Sequence, residues 1–286
     1  MHRGATIRST CATSPDREAG AGRERAVEIM TGSGMARAEL DGEGSAARFL
    51  LVLTHGAGGS AGSPDLLAVR DAALGLGGLV GRVTQPYRVR GARAPASAIR
   101  QDTAWAEIVA ALTELAPGVP LVQGGRSNGA RVACRTAAAV GARAVIALAF
   151  PLQPPGPTGQ SRLAELRAAG ASGAAVLVVN GERDPFGIPG TGDADRVVVV
   201  PGETHSLRGH RAVIAGAVTD WLPGVLRLPA YCAYRRTALK SVPAEEELRG
   251  RRIRRPARCR RWRITPPAPA RRAAVRSGPA GQRPGP

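Results

Sequence analysis

Gly125-Arg126-Ser127-Asn128-Gly129 carries the densest chemical signal in the chain. The pattern G-x-S-x-G puts a serine on a sharp, strained turn between a strand and a helix, where side chains two residues to either side would collide. A serine hydroxyl at neutral pH needs a base to become a nucleophile. The chain offers His2, His55, His205 and His210. His205 lies in Pro201-Gly202-Glu203-Thr204-His205-Ser206, directly after an apolar run of strand length, and is the expected base. His210, a turn further on, reads as a solvated residue inside the closing helix, and His2 lies in a patternless start. The base in turn needs a carboxylate that fixes its tautomer and stabilises the imidazolium. Asp184, in Asn180-Gly181-Glu182-Arg183-Asp184-Pro185, is the first choice; Glu182 is a nearby alternative, and Asp193 and Asp195 are weaker ones. A second G-x-S-x-G, Gly58 to Gly62, lies in a glycine loop well past its strand, so Ser60 is set aside.

Such an attack drives negative charge onto the substrate oxygen, which preorganised donors must receive. One donor is expected to be the backbone N–H of Asn128, the residue after the serine. The other is expected from Thr54-His55-Gly56-Ala57-Gly58-Gly59, with Ala57 first and Gly58 next. Glycines there let the main chain approach a ligand closely. His55 is read as ordering this loop rather than reacting, and it is placed with Gln153 among the residues bordering the substrate. A phosphate-cradling role is not supported, because no Walker lysine follows the loop and G-x-G-x-x-G is absent. Cys134, seven residues past the serine, reads as a small packing residue. Trp105 and Asp102, on the preceding helix, read as structural.

These residues need strands and helices to place them. Apolar runs at 49–53, 80–84, 120–123, 144–149, 174–179 and 196–200 read as strands. Helices are predicted at 64–76, 97–115, 128–140, 161–169 and 207–222. Near-continuous apolar strands alternating with helices imply an α/β fold with a mostly parallel central sheet of about six strands, covered by helices on both faces. In such sheets ligands bind beyond the carboxyl ends of the strands, where Ser127, Asp184, His205 and the 54–59 loop all fall. The short stretch between the 144–149 strand and the 161–169 helix leaves no room for a large lid, so an open site and small acyl substrates are expected.

Three domains of composition result: an N-terminal extension at 1–35 read as disordered, an ordered domain at 36–222, and a basic Arg/Pro-rich tail at 223–286 also read as disordered. Met30 and Met35 offer alternative starts just before the ordered part. Of the formal charge of +18, +14 belongs to the tail, where 17 Lys/Arg stand against three Glu, while 36–222 holds 18 Arg against 15 acids. A single lysine, Lys240, beside 39 arginines points to coding bias rather than to phosphate binding. Nucleic acid is therefore not an expected partner except through the tail. Neither a membrane span nor a secretory leader is visible, and the reading is cytoplasmic. The four cysteines form no CxxC or metal cluster. No cofactor or metal is required.

The motifs Thr54 to Gly59, Gln85-Pro86-Tyr87, Gly124 to Ala133, Phe150 to Gly156, Gly181 to Gly187 and His205-Ser206-Leu207 occur in one order. Together, over roughly 48–222, they resemble the α/β-hydrolase branch related to dienelactone hydrolase that includes testis-expressed protein 30 and a chromatin-complex subunit of the NSL type. The resemblance implies an α/β-hydrolase fold and a Ser127–Asp184–His205 triad. Relatives often carry Met at the position of Asn128, His at that of Gln153 and Asp at that of Thr204; the first two bear on the acyl pocket. Dienelactone hydrolase uses a cysteine nucleophile, so Ser127 argues against that activity. The usual first strands of the fold are poorly represented before residue 48. The implied function is hydrolysis of a small ester, thioester or related acyl substrate. The chromatin-complex relative motivates an alternative, a non-catalytic interaction module whose basic tail binds anionic partners.

Overall fold

A computed structural model describes residues 6–10, 25–95, 97–154 and 159–228. Leu50 to Thr54 forms β4, and every residue in it is buried. The period-2 alternation of a strand explains why the run must be apolar throughout. Leu51 and Leu53 pack into one core with α1 (Pro64–Gly75) and α6 (Arg211–Leu226). Leu50 and Val52 pack into the opposite core with Trp105, Ile108 and Leu112 of α3 (Ala98–Thr113). A third cluster joins α4 (Asn128–Val140) and α5 (Leu163–Ala171) on that second face. The remaining parallel strands are β6 (Leu121–Arg126), β7 (Ala144–Leu148), β8 (Ala175–Gly181) and β9 (Arg196–Val200), with β5 (Leu79–Thr84) on the other side of β4. Helix ends follow their local chemistry. Pro64 opens α1 at a first-turn position that needs no N–H, Ser97 caps α3 by accepting from the Arg100 N–H, and Gly141 closes α4 in the left-handed region.

Among the described residues the sheet has nine strands rather than about six, in the order β1 (Thr6–Thr10), β2 (Arg25–Thr31), β3 (Gly34–Asp41), β5, β4, β6, β7, β8, β9. The difference lies at the N-terminus. Residues 25–35, expected inside an unstructured extension, form β2 (Arg25–Thr31) and the start of β3 (Gly34–Asp41), and β1 (Thr6–Thr10) pairs outside them. These strands are antiparallel to one another, and β3 runs antiparallel to β5. Their inward positions are Val27, Ile29, Ala36, Ala38 and Leu40, all buried and alternating with exposed or half-buried residues that include Glu28, Arg37 and Glu39 but also Met30. Alanine at two of the five gives the alternation little hydrophobic weight. The closing helix also differs. It starts at Arg211 and runs through Pro223 to Leu226, past the boundary expected at 222, because Val225 and Leu226 still pack against the core. Residues 1–5, 11–24 and the tail from 229 lie outside the described residues. No helix among the described residues is long and apolar enough to cross a membrane.

Candidate active site

Ser127 stands between the last residue of β6 and the first of α4, with φ 53° and ψ −113°. That is a left-handed backbone no ordinary side chain prefers. Ala149, after β7, and Leu207, two residues past His205, share the positive φ. Strain of this kind persists only where the surroundings over-determine it, and it clusters at functional sites. The flanking glycines are required by contact. A Cβ on Gly125 would lie 2.6 Å from the Thr54 carbonyl oxygen, and one on Gly129 would lie 2.5 Å from the same atom. β4 and the elbow are therefore pressed backbone to backbone, which brings the 55–59 loop beside Ser127.

The turn presents the Ser127 hydroxyl to His205. Oγ lies 2.9 Å from His205 Nε2, and His205 Nδ1 lies 2.8 Å from Asp184 Oδ2. A carboxylate can only accept, so Nδ1 carries the proton and Nε2 faces the hydroxyl as an acceptor. The Asp184 side chain is fully buried while the His205 side chain is 20% exposed. Asp184 is held from behind: the Phe186 N–H donates to its Oδ1 at 3.0 Å, and Asn180 Nδ2 approaches Oδ2 at 3.4 Å. Asn180 itself receives the Phe150 N–H at 2.8 Å and donates to the Phe150 carbonyl at 3.0 Å, locking the ends of β7 and β8 together. Phe186 packs edge-on against the His205 ring, with centroids 4.6 Å apart. Neither Asn180 nor Phe186 was singled out in the sequence. Their signal was position, at the carboxyl end of a buried strand and two residues past the aspartate.

The weaker candidates go elsewhere. Glu182 accepts from the Gly202 N–H at 2.8 Å, Asp193 pairs with Arg167, and Asp195 accepts from the Val176 N–H at 2.7 Å. Ser60 is exposed in its loop. His210 precedes α6 rather than lying inside it, and its Nδ1 is 2.9 Å from Glu203 Oε1. That contact holds the Glu203 carboxyl below the usual range, helped by the Gly209 N–H and opposed by burial. Cys134 is buried in the core, and burial pushes its thiol up to about 12. Trp105 donates to Gln123 at 2.7 Å, and Asp102 pairs with Arg135, so both are structural.

In the 55–59 loop, the Gly59 N–H donates to the Gly56 carbonyl at 3.0 Å, closing a turn with Ala57 and Gly58 at its centre. Gly58 has φ 69°, and both central residues are exposed. Asn128 is the first residue of α4, where the N–H has no helical acceptor. His55 is a correction. Expected at the substrate, it is fully buried: Nδ1 meets the Gly56 carbonyl at 2.8 Å, and Nε2 accepts from the Gln85 N–H at 3.1 Å. It ties the loop to β5 and leaves no ring nitrogen for a ligand. Gln153 is exposed, and its N–H donates to the Phe186 carbonyl at 2.7 Å, which puts it beside the loop that carries Asp184. Tyr87 lies edge-on to His55. Asn128 Nδ2 faces its hydroxyl without a well-formed hydrogen bond, and burial pushes that hydroxyl up to about 12 against Asn128's pull. A cavity of about 470 Å³ is lined by Tyr87 together with Ser33, Arg90 and Arg100. No base lines it, and none of Ser127, Asp184 or His205 does.

An open, mostly parallel sheet flanked by helices, with a serine on a strained turn after a central strand, is the α/β-hydrolase fold. The chain belongs to the α/β-hydrolase domain family, whose model matches residues 47–198. No curated protein matches the chain. Among solved structures it is similar to dienelactone hydrolase from Anabaena variabilis, with a TM-score of 0.58 and 18% identity over 73% of this chain and 100% of that one. It is also similar to Est1E from Butyrivibrio proteoclasticus (TM-score 0.57, 17% identity, 71% and 99% covered). A third is a Xanthomonas campestris protein described as a serine hydrolase without a lid (TM-score 0.56, 18% identity, 72% and 99% covered). At these identities the likeness is one of fold.

Proposed function

We propose that this protein is a serine hydrolase of small ester, thioester or related acyl substrates, working through Ser127, His205 and Asp184. The observation that carries the reading is the unbroken relay from Ser127 Oγ to His205 Nε2 at 2.9 Å and from His205 Nδ1 to Asp184 at 2.8 Å. His205 takes the hydroxyl proton as Ser127 attacks the acyl carbon. The Asn128 and Ala57 N–H groups receive the developing oxyanion, with Gly58 beside them. His205 then protonates the leaving group, and a water activated by the same nitrogen releases the acid. Buried Asp184 keeps the imidazole in the required tautomer and offsets its charge when it forms. The motif set points to the dienelactone-hydrolase-related branch, while a serine in place of that enzyme's cysteine points to ester-like rather than dienelactone chemistry. An interaction module would not need this relay, and the relay weighs against that alternative.

The test is fluorophosphonate labelling of wild type and Ser127→Ala, read by intact mass, with turnover of short p-nitrophenyl esters alongside. One adduct on wild type alone is expected, with turnover falling at least ~10³-fold in the variant. Equal labelling or equal turnover of the two proteins would overturn the reading.

A further inference from the structure

Arg126 immediately precedes the nucleophile, and its guanidinium ties together three segments far apart in sequence. Nη2 donates to the His205 carbonyl at 2.8 Å. Nε lies 2.9 Å from Asp65 Oδ2, in an ion pair whose N–H is not aligned as a hydrogen bond. Asp65 is in the first turn of α1 and its side chain is 1% exposed; that of Arg126 is 19% exposed. A Cβ on Gly56 would lie 3.4 Å from Arg126 Nη1, so the same group also lies under the oxyanion loop. The His205 ring is oriented at its two nitrogens, and its loop also rests on Gly181 and on the Arg183 N–H, which donates to the Glu203 carbonyl at 2.8 Å. Arg126 adds a tie to the main chain of His205 itself, from the residue next to Ser127, with the buried Asp65 paired to its guanidinium.

We propose that Arg126, anchored by Asp65, is a positioning residue that holds the His205 loop at reacting distance from Ser127. The proposal rests on the reading of Ser127, His205 and Asp184 as a hydrolytic relay. The guanidinium's rigid planar fork lets Nη2 meet the His205 carbonyl while Nε stays beside the Asp65 carboxylate, and the compact point charge of a lysine does not span the two in that fixed geometry, so the role favours arginine. Displacing a catalytic group by about 1 Å can cost ~100-fold in rate.

The experiment uses the full chain and measures the rate of fluorophosphonate labelling by intact mass, with kcat and KM on p-nitrophenyl acetate. Wild type that fails to label sinks the hydrolytic reading itself. With wild type labelled at Ser127, Arg126→Met is expected to label ~100-fold more slowly, with kcat reduced and KM little changed. Added ethylguanidinium should restore part of the rate, and Arg126→Lys should restore little. Folded Arg126→Met that labels within about threefold of wild type overturns the proposal, as does a slow variant that ethylguanidinium leaves untouched. Should Arg126→Met not fold, Asp65→Asn decides. It keeps the side-chain acceptor for the Leu66 N–H but removes the anchoring charge. Slower labelling at unchanged KM supports the role, and a wild-type rate overturns it.

Discussion

His55 is the residue whose role burial decides. With both nitrogens engaged and no exposed surface, the imidazole is desolvated, which lowers its pKa from the usual 6.5; the Gly56 carbonyl pulls the other way and the Arg88 charge adds to the lowering. The unfolded chain takes up this proton as pH falls below about 6.5, and the folded one does so only at lower pH. The stability that neutral His55 contributes is therefore complete above about 6.5 and is lost as pH falls through the lowered folded value. His55→Gln should be less stable at pH 7.5 and should lose less stability on moving to pH 5. Denaturant midpoints of both proteins at the two pH values test this, and parallel losses would refute it. The sequence showed that this histidine belonged to the loop but not that it was sealed from the ligand. That follows from Gln85 and Tyr87 closing over it, two residues whose reach depends on the short helix α2 (Pro86–Val89).

Among the elements, β4 meets the turn at Ser127 with no room for a side chain between them. Gly129 has the Thr54 and His55 carbonyl oxygens where a Cβ would be, at 2.5 and 2.7 Å, and neither is the end of a flexible side chain. Gly129→Ala must part β4 from α4. A cost of about 1–3 kcal/mol is expected from overpacking alone, together with loss of fluorophosphonate labelling. Gly170, in α5, has nothing within 4 Å of its Cβ position, so Gly170→Ala should be neutral or stabilising by up to ~1 kcal/mol. Urea unfolding of the two variants checks the contrast, and equal costs would contradict the close approach. The elements that carry chemistry were the legible ones. Strands buried on both faces cannot avoid continuous apolar runs, and the G-x-S-x-G and Asp-Pro turns mark where those runs end. β2 and β3 were not legible, because only one face is buried and its inward positions include Ala36 and Ala38, which leave a faint alternation. Asn180 and Arg126 were missed for another reason: each acts on a main chain more than twenty residues away, and pairing of that kind has no local signature.

At the scale of the whole molecule, the N-terminal strands contribute no group to the site but complete one core. Val27 and Ile29 of β2 are fully buried in the cluster that includes Trp105 and Val132. A chain beginning at Met35 would lack β1 and β2. Burial of those two side chains alone contributes about 3–6 kcal/mol, a large share of the roughly 5–15 kcal/mol a domain has. Such a chain is expected to unfold at much lower urea than the full chain, and a midpoint within about 1 kcal/mol of wild type would show that β2 is dispensable. The Ser127 backbone bears on that same margin in a different way. Its φ and ψ are close to the mirror image of ordinary extended backbone, a region glycine enters freely and serine does not. Under the proposed mechanism, the fold carries an uncomfortable backbone at the residue that attacks. Variation filtered only for heat tolerance would drift towards glycine there and leave a sturdier molecule without the proposed nucleophile, so on that reading the serine persists only where turnover itself is under selection.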